Sequence, residues 1–202
     1  MIIKFKKEQL LILAINIIAL IAFILVFWSR HNYEFLMYVG VIIFFLIIIM
    51  FTINKVNYPT IVLWGLTAWS LLHMSGGGIY IGGKKIYELM IWSIVGNPYY
   101  IFRYDQFVHI VGFAVATLVI YYILKPILRI DLKKWTALSI VVIMAGLGVG
   151  ALNEIIEFMA TVIVPETGVG GYINTSLDLV ADLIGAIGAM IYIKINNNKK
   201  NI

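Results

Sequence analysis

Apolar residues gather in six long stretches, 9–29, 34–53, 59–76, 105–124, 136–163 and 175–195, with most charged positions between them or near their ends. Each stretch is long enough to cross about 30 Å of hydrocarbon as a helix. The first two are nearly pure Ile, Leu, Phe and Val. Heavy β-branching lowers helix propensity in water, but in lipid every backbone N–H and C=O must pair within its own segment, so helix is expected. These two read as lipid-facing walls with no chemistry. The connection over 77–104 is different. It begins with Gly76-Gly77-Gly78, repeats with Gly82-Gly83 and reads as a flexible loop, because the glycines match no phosphate-binding spacing. Its middle, Ile86 to Val95, is apolar but too short to span. That segment should lie in the interface or re-enter, with Trp92, Tyr99 and Tyr100 at headgroup level. The pattern predicts an all-α fold: a polytopic transmembrane helical bundle of about six spanning helices, with a short interfacial or re-entrant segment near 86–95. One membrane domain, 1–202, accounts for the chain.

Composition sharpens this. The sequence is 62% hydrophobic with a mean hydropathy of +1.00, against about 45–50% apolar for soluble domains. The first apolar run, Leu10 to Trp28, is longer than the roughly 7–15 residues of a signal-peptide core, so it reads as a span. Without cysteine there are no disulfides and no thiolate metal sites. The net charge of +5 does not indicate a nucleic-acid partner, because the bases sit in short loops and at the ends. With the N-terminus inside, Lys4, Lys6, Lys7, Lys55, Lys125, Arg129, Lys133, Lys134, Lys194, Lys199 and Lys200 fall on the inner side, and only Arg30, Lys84, Lys85 and Arg103 on the outer. The bias predicts a multi-pass protein of the cell (inner) membrane with both termini cytoplasmic. The basic loop before Trp135 holds the end of the fourth helix inside, and the Asn- and Lys-rich tail after Ile195 is expected to fray.

Three polar pairs interrupt the apolar runs: Asp105 with His109, Glu154 with Glu157, and Asp178 with Asp182. Spacings of three and four put each pair on one helix face. In the topology above all three pairs fall in the outer half of the membrane, and His73 arrives at the same level. Five of the ten acids of the chain are in these helices. A carboxylate at the bilayer centre costs about 2.5–3.5 kcal/mol, less near the interface. The bases available to offset them are few: Arg103, Lys84 or Lys85, and the imidazoles. A bound divalent metal, or protons, should fill the deficit. Carboxylate oxygens with one or two imidazoles suit Mg²⁺, Mn²⁺, Fe²⁺ or Zn²⁺. The expected ligands or general base are Asp105, His109, Glu154, Glu157, Asp178 and Asp182. His73 is either a further ligand or a satisfied helix-end histidine. Arg103 is either a clamp for an anionic headgroup or an interfacial anchor. Asn153, Asn174 and Tyr104 flank the acids and are candidates to support them. Thr175 and Ser176 read as helix caps. His31 is assigned no role. Gly146, Gly148 and Gly150, with Gly185 and Gly188, allow close helix packing that would draw the Glu pair to the Asp pair.

Leu-Leu-His73-Met, Tyr104-Asp105-x-x-x-His109, Asn153-Glu154-x-x-Glu157-Phe158 and Asp178-x-x-x-Asp182-x-x-Gly185 follow one another in an order that resembles the YjdF-like family of bacterial and archaeal inner-membrane proteins, over about 60–195. The sequence is also similar to the wider VanZ-like group, which has Gln where Glu157 stands and Asn where Asp182 stands. From the YjdF-like pattern it departs at Phe158 and Leu177, where that family has Trp. The first resemblance implies an integral membrane protein of six-helix type. The second implies lipid or cell-envelope chemistry, and the extra acids here favour a metal. Three functions are consistent with these residues. The first is a metal-dependent membrane enzyme, hydrolase- or phosphatase-like, acting on a membrane lipid or lipid-linked substrate at the outer leaflet. The others are a cation- or proton-coupled transporter and a non-catalytic scaffold whose polar cluster fixes helix register.

Overall fold

The computed structural model describes residues 5–127, 135–164 and 167–198. The basic loop from Arg129 to Lys134 and the extreme tail, on which part of the topology reading rests, lie outside them. Six helices carry the fold: α1 (Lys7–Ser29), α2 (Tyr33–Val56), α3 (Thr60–Gly78), α4 (Tyr104–Leu124), α5 (Trp135–Ile163) and α6 (Tyr172–Asn198). All but α3 are long and apolar enough to cross a membrane. Thr67, Ser70, His73 and the closing glycines make α3 more polar, and it packs between α1 and α4. The molecule is an all-α polytopic bundle, as the apolar pattern predicts.

Local chemistry sets the helix ends. Asn32 caps α2 by accepting the Phe35 N–H at 3.2 Å, and Asn57 ends it in the left-handed conformation at φ 50°. At the head of α4, Gln106 Oε1 accepts the backbone N–H of Arg103 at 2.9 Å and that of Phe102. Tyr100 and Phe102 stand at φ 50° and 78°, conformations costing side-chain-bearing residues about 1–3 kcal/mol each. Gln106 is the brace that holds this turn and so fixes where Asp105 begins its helix. We expect Gln106→Ala to loosen the turn by about 1–2 kcal/mol, the range for losing a helix cap, read as faster amide exchange over 100–106; unchanged exchange would remove the brace from the account.

The packing forms two halves. Phe27, Phe35, Tyr38, Val39 and Met74 make a core at one end of α1–α3, and Ile12, Ile53, Tyr58 and Val62 make one at the other. Asn16 of α1 donates to Thr67 Oγ1 of α3 at 2.7 Å within this half. In the second half Tyr121, Val142, Met190 and Ile193 join α4, α5 and α6. The α4–α6 interface is the most extensive in the molecule, and α3 with α4 ties the halves together.

The 77–104 connection departs from the expectation. Gly76, Gly77 and Gly78 are not loop; they form the buried last turn of α3. A Cβ there would strike Tyr87, Phe35 and Phe23 respectively, so the missing side chains make room for three aromatic rings. Two antiparallel hairpins follow. The first pairs β1 (Tyr80–Ile81) with β2 (Lys84–Lys85) around Gly82 and Gly83, both at positive φ as a two-residue hairpin turn requires. The second pairs β3 (Met90–Val95) with β4 (Ile101–Arg103). The 86–95 segment is therefore a 3₁₀ turn and an exposed strand, because its β-branched and aromatic residues find a partner strand. Thr175 and Ser176 lie inside α6, which starts at Tyr172, so they do not cap it.

Candidate functional site

Three helices deliver the acids to one place because they run in alternate directions. Asp105 and His109 occupy the first two turns of α4, Glu154 and Glu157 the last third of α5, and Asp178 and Asp182 the first half of α6. The His109 imidazole is at the centre and is buried. Its Nδ1 is hydrogen-bonded to Asp182 Oδ1 at 2.9 Å, and Glu154 Oε1 lies 4.0 Å from the same nitrogen. On the opposite edge, Nε2 faces Asp105 Oδ1 at 3.8 Å and Glu157 Oε1 at 4.0 Å. Asp105, His109 and Asp178 each offer a ligand atom within 4.8 Å of the others, and so do His109, Glu154 and Asp182.

Close backbone approach makes this possible. Gly185 sets α6 against α4, where a Cβ would fall on the Ile110 carbonyl oxygen and 2.9 Å from the Ala114 nitrogen. Gly150 gives Asp182 its room, since a Cβ on α5 would strike that carboxylate, and Gly146 does the same for Thr117. Gly148 and Gly188 face open space and take no part. Gly150 and Gly146 thus let α5 close on α6, as the small-residue pattern suggested, and Gly185 adds an equally close approach of α6 to α4.

The amides support the acids. Asn174 Nδ2 bridges α4 and α6, donating to Asp178 Oδ2 and, at 3.4 Å, to Asp105 Oδ2. Asn153 Nδ2 donates to Glu157 Oε1 at 2.8 Å. Tyr104 instead donates to the Leu72 carbonyl oxygen at 3.2 Å, which ties α4 to α3. Even so, both oxygens of Glu154, Oδ1 of Asp178 and Oδ2 of Asp182 are buried without a hydrogen-bond partner among the described residues. The cluster is least buried on the Asp105–Glu157 side. The Asp105 and Glu157 side chains are 21% and 15% exposed, whereas that of Asp182 is 0% exposed. Both line a polar cavity of about 70 Å³, along with Glu34, Tyr38, His73, Lys85, Tyr87 and Asn174.

Other site candidates take different places. His73 lines the cavity, but its Nδ1 is 2.6 Å from the Tyr87 hydroxyl, and its ring is enclosed by Phe35, Tyr38 and Trp69. Burial, and beyond it the charges of Asp105 and Glu157, push the Tyr87 phenol well above its ordinary value, so the hydroxyl keeps its proton and is placed to donate to His73. Arg103 does not line the cavity; its guanidinium lies over the Tyr100 ring at 4.9 Å. The base at the cavity wall is Lys85, 3.6 Å from Glu34 Oε2, and Glu34 also accepts the Gly168 N–H at 2.8 Å. Glu34 and Tyr38 overturn the view of α2 as a wall without chemistry. A lone acid at the head of an otherwise apolar run was the available signal for Glu34.

A multi-helix membrane fold around a buried imidazole ringed by carboxylates defines the class: a polytopic membrane protein with a buried acidic–histidine cluster. Residues 10–199 match the family described as "Predicted membrane protein (DUF2238)", and the chain belongs to that family. No curated protein and no solved structure matches it.

Proposed function

We propose that this protein is a divalent-metal-dependent membrane enzyme that hydrolyses a lipid or lipid-linked substrate, with the cation held by His109 Nε2, Asp105 and Asp178. The observation that carries the reading is the set of buried carboxylate oxygens without partners around one imidazole. An unpaired buried charge is costly, and a cation offsets several at once. The histidine geometry fits: a ligating imidazole commonly donates its other N–H to a carboxylate, and Asp182 accepts that proton from Nδ1. With Nδ1 turned to Asp182, the Nε2 edge, beside Asp105 and the cavity, is the one left for a cation.

Glu157 is the carboxylate on the cavity side that is not needed as a ligand, and it is suited to take a proton from water there. The cation would polarise a phosphoryl or carbonyl oxygen and lower the pKa of that water. Lys85, at the cavity wall, supplies positive charge for an anionic headgroup. The envelope-lipid substrate class is supported by the likeness of the motifs to the VanZ-like group.

Elemental analysis of the full-length protein, purified in detergent without chelator, tests this. About one divalent cation per chain is expected for a mononuclear site, and Asp178→Ala or His109→Ala should remove it. Metal-free wild-type protein, or equal metal in Asp178→Ala, would defeat the proposal. Should Asp178→Asn and Glu157→Gln both retain full biological function, the polar cluster only fixes helix register.

A further inference from the structure

We propose that an apolar slot between α2, α3, α4 and α5 holds a single hydrocarbon chain of a membrane lipid, with the lipid's polar end reaching the acidic site past Asn153. The slot has a volume of about 240 Å³. It exceeds the roughly 150 Å³ of an engineered apolar cavity that stays dry and admits benzene. It is long, because its wall on α4 runs from Gly112 to Ile123, roughly 16 Å at the helical rise.

Its lining is aliphatic and aromatic except for the amide of Asn153. A water there would lack the two to four polar partners that hold one in a protein interior. Asn153 is also the bond donor to Glu157, which lines the polar cavity, so one side chain of the slot is bonded to a wall of the polar compartment. Elsewhere the two are partitioned by rings. Phe113 lies 5.6 Å from the His109 ring, and Trp69 lies 5.7 Å from the His73 ring and fills the space left by Gly112.

The slot opens sideways. Near the acids α5 closes on α2, with Ile156 and Ala160 against the Phe35–Tyr38 core. Deeper, Ile48 of α2 and Leu152 of α5 both line the slot and are 36% and 47% exposed on the bundle surface. In a chain with membrane-spanning helices that surface meets lipid, so the occupant arrives along the bilayer. A polar headgroup chamber joined to an apolar chain slot recognises an amphiphile. Chain occupancy stands independently; that the amphiphile is the substrate rests on the metal-enzyme reading above.

The test uses full-length protein in phosphatidylglycerol nanodiscs doped with a phosphatidylglycerol carrying a diazirine along one acyl chain. After irradiation, adducts are mapped by peptide mass spectrometry. Adducts are expected on Ala116 and Val149, at several times the level on the outward-facing Ile140 and Ile155. Ala116→Phe should cut slot adducts about tenfold, the milder Val149→Leu several-fold, and neither should change Ile140 labelling or the thermal midpoint. Slot labelling no higher than on Ile140, or unaffected by both substitutions, would overturn the proposal. Metal content separates the two claims: metal-free protein whose slot still labels sinks the enzyme reading alone, and metal-loaded protein whose slot does not label sinks the slot alone.

Discussion

Asp182→Asn should lower the affinity of the protein for its divalent cation by roughly 10–100-fold, the range for losing the partner of a ligating histidine, without unfolding it. Asp182 is fully buried, and its Oδ1 accepts the Nδ1–H of His109. With Nδ1–H as the donor, that bond leaves Nε2 free to face Asp105. Asparagine preserves the shape but removes the charge that favours this arrangement. Metal titration monitored by calorimetry reads the affinity, and the ¹⁵N shifts of the His109 ring report where its proton sits. A merely structural residue would alter stability without moving the ring proton. Wild-type affinity together with wild-type ring shifts would eliminate Asp182 as the orienting partner.

Gly185→Ala should be the most damaging single-methyl change in the chain. The new Cβ would fall on the Ile110 carbonyl oxygen, a backbone atom that cannot rotate away, so α6 must back off α4. Overpacking of this kind costs about 1–3 kcal/mol. Because Asp178 and Asp182 travel on the same helix, the metal site should open with it. Gly188→Ala is the matched control, since nothing lies within 4 Å of its added carbon. There the helix propensity of alanine predicts a gain of up to about 1 kcal/mol. Thermal unfolding in one detergent compares the two. If Gly185→Ala unfolds no earlier than Gly188→Ala, the close α4–α6 approach is wrong, and with it the geometry of the acids.

The site is a consequence of helix direction more than of any one motif. Alternating crossings bring the head of α4, the tail of α5 and the head of α6 to one level, so acids far apart in sequence share an imidazole. Separation of the set into two edges of that ring then assigns different work to similar side chains. Asp182 and Glu154 lie on the Nδ1 edge, while Asp105 and Glu157 lie on the Nε2 edge beside the cavity.

The amino-acid sequence by itself determined the helical membrane fold, because long apolar runs can satisfy their backbone in lipid only as helices. It also fixed which side chains share a helix face, since Asp105 with His109, Glu154 with Glu157 and Asp178 with Asp182 follow from helical spacing alone. Only the tertiary structure decided how the faces meet. Gly185 pressing on α4 while Gly148 and Gly188 face open space cannot be read from a pattern of small residues, because the choice depends on which neighbour arrives. Strand pairing turned the 86–95 segment into a hairpin, since a β-ladder partner lies outside any local window. The same is true of Glu34, Tyr38 and Lys85, which join the cavity from elements whose sequence reads as wall and loop. Local periodicity specifies the face of a helix; the contact that gives that face its chemistry comes from distant parts of the chain.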